Sequence, residues 1–421
     1  MRVDITVRTM DQSELTVMKE MISMDKKGVV IPLTATLVVQ ALVSMVAFAA
    51  PIFAPTAAED IGISATSVGI YIGLIYITSM LSSLWSGDFI GRYGALRVSQ
   101  VCLLICGVGL ALAAVGSVPV LILSALILGL GYGAVTPASS HILSRNAPAN
   151  LMSFVFSIKQ TGVPLGGAVA GAIVPALVLF AGWKNTAVIV GAICGLSAIL
   201  GQPIRKRIDG DRQPARRISF QGVTGPLRLV VTHRPLLRLA IISFFYGSMQ
   251  LCLITYLVIY LTKNIGMALI AAGLTLSAAQ IAGIVGRIIW GIIADRFLRP
   301  SLVLGLIGIM MSLGAVATAS FTPDWSSPAI WISIIVFGAS AIGWNGVYLA
   351  EAARLAPGGQ VSAATGGCLF FTFLGVVVGP PVFAAVAAFT DSYSLGYLLF
   401  AGFTFVSAWV VIFSGLKKIE P

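Results

Sequence analysis

Charge is scarce in this 421-residue sequence: 10% of its residues are charged and 58% are hydrophobic. A soluble globular domain carries roughly a quarter charged residues, so the composition excludes one. Histidine is rarer still, with only His141 and His233, in different halves of the chain. Cys102, Cys106, Cys194, Cys252 and Cys368 all lie in apolar stretches without metal-ligand spacing. Neither disulfides nor a metal site is expected, and no cofactor is implied. The sequence has no Gly-rich phosphate loop ending in Gly-Lys-Ser/Thr, which excludes the usual ATP-driven pump. It offers no Ser–His–Asp arrangement or metal cluster, so an enzyme is not expected.

Long apolar runs are abundant, and the mean hydropathy is +0.99. Runs of 18 or more apolar residues are each long enough to cross a bilayer as a helix. Inside a membrane, open sheets are excluded by their unpaired backbone groups. The alternating pattern of an outer-membrane barrel is absent. The expected fold is an all-α membrane protein with twelve transmembrane helices. They are predicted near 29–54, 66–86, 95–115, 118–142, 152–180, 184–203, 236–262, 268–293, 301–320, 328–352, 363–388 and 395–416.

The segment 204–235 interrupts this pattern with Arg205, Lys206, Arg207, Arg212, Arg216, Arg217, Arg228 and Arg234. It reads as a basic linker between a bundle at 29–203 and a second at 236–416. Residues 1–28 are polar and of mixed charge, without an apolar core, and read as a cytoplasmic tail rather than a signal peptide. Residues 417–421 form a second short tail. Basic residues fall on one side: the tails, the linker, and the links around Arg92/Arg97 and Arg296/Arg299. The opposite links hold little beyond Lys184 and Lys263, with Glu59, Asp60, Asp324 and Asp391. Both termini are therefore expected in the cytoplasm, and the net charge of +11 reflects orientation rather than nucleic-acid binding.

The two halves repeat each other. "GDFIGR" (Gly87–Arg92) after the second helix matches "ADRFLR" (Ala294–Arg299) after the eighth. "SRNAP" (Ser144–Pro148) matches "ARLAP" (Ala353–Pro357), and "GVPLGG" (Gly162–Gly167) matches "GVVVGP" (Gly375–Pro380). Three matches in the same order indicate duplication. Parallel six-helix repeats place a binding site near the midplane, between the halves. "GLGYG" (Gly129–Gly133) and "GVPLGGAVAG" (Gly162–Gly171) are read as close-packing faces, with Pro164 and Pro175 as bend points.

These phrases resemble the signature of the major facilitator superfamily, Gly-x-x-x-Asp-x-x-Gly-Arg-Lys/Arg, between helices 2 and 3. Asp88, Gly91 and Arg92 match; Leu84 and Tyr93 stand at the leading Gly and the final basic position. Gly291, Asp295 and Arg296 match the degenerate second copy. The resemblance implies two pseudo-symmetric six-helix bundles and a secondary transporter. It also implies that these phrases latch the outward-open state. A carboxylate such as Asp88 can accept N–H groups at the positive start of a neighbouring helix. Glu351 and Arg354, three apart at the end of helix 10, form a plausible pair of similar kind.

Two ionisable residues lie inside the predicted helices: Lys159 in helix 5 and Arg287 in helix 8. No Asp or Glu lies near a midplane. Two buried cations without buried carboxylates invite an anionic ligand. Gln280, Gly283, Arg287 and Gly291 recur at helical spacing and form a small, polar face. Further candidates for the cavity are Gln40 and Ser44, Gln160, Tyr246 and Gln250, and Asn345 and Tyr348. His141 reads as a helix-end residue that is also a candidate for proton coupling.

"GRIIWGIIAD" (Gly286–Asp295) resembles the monocarboxylate transporters and the oxalate–formate antiporter group, which carry a helix 8 arginine at this spacing. In those relatives the arginine pairs with substrate carboxylate. The oxalate group also carries a helix 11 lysine; Thr372 stands at the position symmetric to Lys159, so the second cation has moved to the other half. The expected function is alternating-access transport of a small organic anion, a carboxylate in the first instance. A proton or counter-anion is the expected coupling partner, and the setting is a monomer in a bacterial inner membrane. A drug/proton antiporter-type exporter and a transporter-like receptor remain open alternatives.

The topology is testable. A cysteine at Gln213 should resist an impermeant thiol reagent in intact cells and react once the membrane is opened. Rapid labelling in sealed cells would reverse the orientation.

Overall fold

The structure is a computed structural model that describes residues 28–63, 68–216, 218 and 224–416. The expected tails at 1–27 and 417–421, with Lys417 and Lys418, lie outside the described residues, as does Arg217. Among the described residues there is no strand. Eleven helical segments are apolar and long enough to cross a membrane, one of which, Ala149–Leu200, has 52 residues. A continuous helix of that length would extend roughly 78 Å, more than twice a hydrocarbon core of about 30 Å. It therefore crosses twice, turning at Gly182, whose φ of 79° and ψ of 161° are non-helical.

The twelve spans follow from these segments. Spans 1–4 are Val30–Ile61, Val68–Tyr93, Ala95–Ala113 and Val118–Asn146. Span 5 is Met152–Gln160 continued by the start of Gly162–Leu200, and span 6 is the part of that helix beyond Gly182. Spans 7–9 are Arg234–Lys263, Leu269–Arg296 and Pro300–Ala319. Span 10 consists of Ser327–Ala341 and Asn345–Arg354, and spans 11 and 12 are Val361–Thr390 and Tyr393–Leu416. Proline opens spans 4, 7, 9 and 10, where a missing N–H costs no hydrogen bond.

Spans 1–6 and 7–12 form two bundles, and the small residues set their internal spacing. A Cβ on Gly133 would lie 2.1 Å from the Ser79 carbonyl oxygen, and one on Gly166 2.2 Å from that of Ala41. Both glycine-rich phrases are thus packing faces between helices of one bundle.

The bundles meet on the side that carries the linker. Asp295, at the end of span 8, accepts hydrogen bonds from the backbone N–H groups of Ser153 (3.0 Å) and Phe154 (2.7 Å). These N–H groups belong to the first turn of span 5, where no intrahelical acceptor exists and the dipole is positive. Arg354 Nη2 donates to the same carboxylate at 2.8 Å, and its Nη1 lies 3.6 Å from Glu351. Gly291 and Gly346 both press on Ser157; a Cβ at either would come within 2.7 Å of its Oγ. In the repeated position, Gly87 faces Ala363, and Ser83 Oγ donates to the Gly366 carbonyl at 3.1 Å.

The first-half phrase departs from its expected role because the linker lies over it. Asp88 receives Arg216 Nη2 at 3.0 Å. Arg92 Nη1 donates to the Arg216 carbonyl at 3.2 Å, and the Arg216 side chain covers Gly91. The linker's Asp209 takes the helix-start role at span 3, accepting from the N–H groups of Leu96 (2.8 Å) and Arg97 (3.0 Å). Gly94 is required there: its φ is +97°, and a Cβ would lie 2.3 Å from Asp209 Cγ. Asp211 binds His141 Nε2 and Arg145 Nη1 of span 4, each at 2.6 Å. Acidic residues thus fasten a basic linker to the first bundle. Burial alone would raise the Asp211 carboxyl. The His141 hydrogen bond, with the charges of His141 and Arg145, outweighs it and holds the carboxyl below the ordinary range.

Both sets of contacts can be probed. A Cβ on Gly87 would lie 3.8 Å from that of Ala363, a separation that suits a disulfide. The pair Gly87→Cys and Ala363→Cys should therefore cross-link and report closure of this side. Asp295→Asn keeps shape but removes charge, and should slow cross-linking roughly tenfold, as expected for a weakened charge-assisted bond; an unchanged rate would contradict the assignment. Asp211→Asn should reduce hydrogen-exchange protection of the Gln213 amide, which donates to the Gly91 carbonyl at 2.8 Å. Because the folded pKa is depressed, the wild-type attachment is complete above the ordinary carboxylate pKa of about 4. It is lost only as pH falls through the lower folded-state value.

Candidate functional site

Between the bundles lies a cavity of about 170 Å³. Its polar lining comes from Gln40, Thr136 and Gln160 in the first half and Gln250, Gln280, Arg287, Asn345 and Thr372 in the second. Tyr76, Tyr132 and Phe373 form an aromatic wall. Six expected residues therefore converge: Gln40, Gln160, Gln250, Gln280, Arg287 and Asn345.

Arg287 is the charged group of this lining, and it is only 2% exposed. It lies eight residues before Asp295, about 12 Å along the helix from the linker-side seal. Its Nε donates to the Ile342 carbonyl at 2.9 Å, and its Nη1 donates to the Gln160 carbonyl. Both oxygens are available for a local reason. Four residues after Gln160 stands Pro164, which has no N–H to claim the Gln160 carbonyl. Ile342 lies in the break between Ala341 and Asn345 that divides span 10. One guanidinium is thus shared between a carbonyl of each bundle. Its Nη2 makes no hydrogen bond among the described residues, and none of their carboxylates pairs with it. A buried cation so placed can receive an anion from the cavity with a planar pair of N–H donors.

Lys159 is 1% exposed and does not snorkel to the surface. Its Nζ donates to Gln40 Oε1 (2.8 Å) and Gln160 Oε1 (2.9 Å), with Thr136 Oγ1 at 3.4 Å. These are neutral acceptors, and all three residues line the cavity. The lysine therefore stands behind that lining: it adds positive field without contacting the space. Gln40 also donates from Nε2 to Ser44 Oγ at 3.3 Å.

Tyr246 and Tyr348, two expected contacts, do not line the cavity. Tyr246 donates to the Leu304 carbonyl at 2.9 Å and meets Trp344 edge-on, with ring centroids 5.6 Å apart. It turns toward span 9, where Gly308 leaves room for its hydroxyl. Tyr348 OH is 3.4 Å from Thr372 Oγ1, inside the second bundle. Trp344 Nε1 and Asn345 Nδ2 both donate to Gln250 Oε1, at 3.0 and 3.2 Å. His141 is at the linker interface, away from this cavity. The aromatic wall was missed by sequence reasoning. Tyr132 is one helical turn from Thr136 and Phe373 is adjacent to Thr372, but neither spacing distinguishes a cavity ring from a packed one.

The model of the Major Facilitator Superfamily matches residues 36–366. A probable sulfoacetate transporter of Cupriavidus necator is 24% identical over 86% of this chain and 87% of its own length. The hexuronate transporter of Bacillus subtilis is 22% identical, covering 86% of this chain and 88% of its own. The crystal structure of the transporter FucP in the outward conformation superposes with a TM-score of 0.74 at 16% identity, covering 92% and 99% of the two chains. With two six-helix bundles, the repeated acidic phrase and a family match over most of its length, the chain belongs to the major facilitator superfamily.

Proposed function

We propose that this protein is a secondary active transporter that moves a small organic anion, a carboxylate, by alternating access. Arg287 anchors the anionic group. The observation that carries the reading is a buried guanidinium facing the cavity with no carboxylate partner among the described residues. Gln160, Gln40, Gln250, Asn345 and Gln280 surround the cargo, and Lys159 supports binding through its field. The two relatives are named as a probable sulfoacetate transporter and a hexuronate transporter, and both named cargoes are organic anions, which supports the same class. A cationic-drug exporter would need a buried carboxylate to bind its cargo, and none lines this cavity.

In this reading the linker side is cytoplasmic and the structure has that side closed. The units are the bundles at 29–203 and 236–416, joined by the linker at 204–235, acting as a monomer in a bacterial inner membrane. Gly291, Asp295, Arg296, Glu351 and Arg354 make up the closing machinery, while Asp88, Gly91 and Arg92 hold the linker to the first bundle. A proton or a counter-anion provides the coupling. An arriving anion competes with the Gln160 carbonyl for Arg287 Nη1. Winning that competition removes one tie between the bundles, so loading of the site loosens the cytoplasmic seal.

Two substitutions test this. Arg287→Gln should abolish transport of the organic anion while leaving expression intact, and Arg287→Lys should restore little, because an ammonium cannot make the paired contact. Wild-type transport by Arg287→Gln would make the arginine structural. Pro164→Ala supplies an N–H that reclaims the Gln160 carbonyl within the helix. It should lower the substrate KM roughly fivefold, the value of about one hydrogen bond, and slow the Gly87–Ala363 cross-link. A raised KM with unchanged cross-linking would reduce Pro164 to a bend.

A further inference from the structure

We infer that the cargo is a monoanionic acid with a flat, sparsely hydroxylated ring, of the aromatic carboxylate class. This rests on Arg287 as the anion anchor and adds what the rest of the cavity requires.

The first support is position. Counted from the linker-side ends of their helices, Arg287 is nine residues in, Phe373 twelve, Tyr132 fourteen and Tyr76 seventeen. At 1.5 Å per residue the backbone positions of the ring residues lie about 5 to 12 Å beyond that of Arg287. A ring joined directly to a carboxyl spans the lower part of that range. The anionic end thus has its place at the Arg287 level, and the rings beyond it share their level with Gln250 and Gln280, each sixteen residues in.

The wall itself is the second support. Tyr76 and Tyr132 meet at 86° with centroids 6.4 Å apart, and Phe373 lies 5.8 Å from Tyr76 and 6.5 Å from Tyr132. Rings at different inclinations present both edges and faces, the two surfaces that an aromatic guest prefers. Tyr76 and Tyr132 belong to the first bundle and Phe373 to the second, so a guest ring touches both moving parts.

The third support is what the polar lining has left to offer. Gln40 and Gln160 give their oxygens to Lys159, and Gln250 gives its oxygen to Trp344 and Asn345. Thr372 donates to the Cys368 carbonyl at 3.3 Å. Among the described residues, Gln280 and the amide N–H groups of Gln160 and Gln250 keep hydrogen-bonding capacity, which serves a few polar substituents rather than a fully hydroxylated chain. With Lys159 behind the amides, one guanidinium faces the cargo, which suits one negative charge rather than two.

The test is equilibrium binding to the purified full chain, with benzoate, acetate, glucuronate and sulfoacetate as probes. Benzoate should bind at least tenfold more tightly than the other three. Tyr132→Leu and Phe373→Leu keep apolar bulk but remove the ring. Each should raise the benzoate Kd roughly three- to tenfold, the value of an aromatic pair, and raise the acetate Kd by less. Tyr76→Leu provides a third reading should one of these variants fail to fold. If glucuronate or sulfoacetate binds as tightly as benzoate, and Arg287→Gln abolishes that binding, the ring inference is overturned and the anion anchor stands. Ring substitutions that weaken acetate and benzoate equally overturn it as well. If benzoate binding survives Arg287→Gln, the anchor itself fails.

Discussion

A guanidinium cannot rest in the middle of a membrane without oxygen around it, and the centre of this protein is arranged to supply that oxygen from backbone rather than carboxylate. Two carbonyls meet Arg287, one from each bundle. Each is available because a helix is interrupted: span 5 by the missing N–H of Pro164, span 10 by the break after Ala341. Neutral carbonyls take two of the guanidinium's hydrogen bonds but leave the charge uncompensated. That unbalanced charge is what makes the cavity a place for an anion, and bonds to both bundles make its occupancy felt by the whole structure.

The linker side applies the same principle at its surface. Helix starts expose N–H groups and partial positive charge, and carboxylates satisfy both. Asp295 does this across the bundles, at the first turn of span 5. Asp209 does it within the first bundle, at span 3. The difference decides what each contact controls. Asp295 ties span 8 to span 5 across the bundles, whereas Asp209 keeps the linker on its own half. The repeated phrases are therefore related in sequence but unequal in mechanics, because the linker has entered only the first.

Much of this was legible in the sequence. Apolar runs of bilayer length, a basic interruption and three ordered matches led to twelve helices in two bundles, and the small-residue phrases were read correctly as packing faces. Arg287 was legible because a charge in an oily helix, on a small and polar face, needs a cavity or a partner to hold it there. The split of span 10 was not legible, since "SAIGWN" (Ser340–Asn345) carries no proline. The turn of Tyr246 was hidden for a related reason: helical spacing gives a face but not the neighbour, and Gly308 draws the ring toward span 9. Asp209 and Asp211 were passed over because a linker defined by eight basic residues was read for its sign alone. The aromatic wall needs contacts from spans 2, 4 and 11 together, which no local pattern encodes.

In the proposed cycle Arg287 exchanges a carbonyl for the cargo's anionic group. An experimental structure determined with benzoate present tests it most directly. The carboxylate should lie on the Arg287 guanidinium, the ring against Tyr132 and Phe373, and Nη1 should be withdrawn from the Gln160 carbonyl. Arg287 still bound to both carbonyls, with the acid elsewhere, would contradict it.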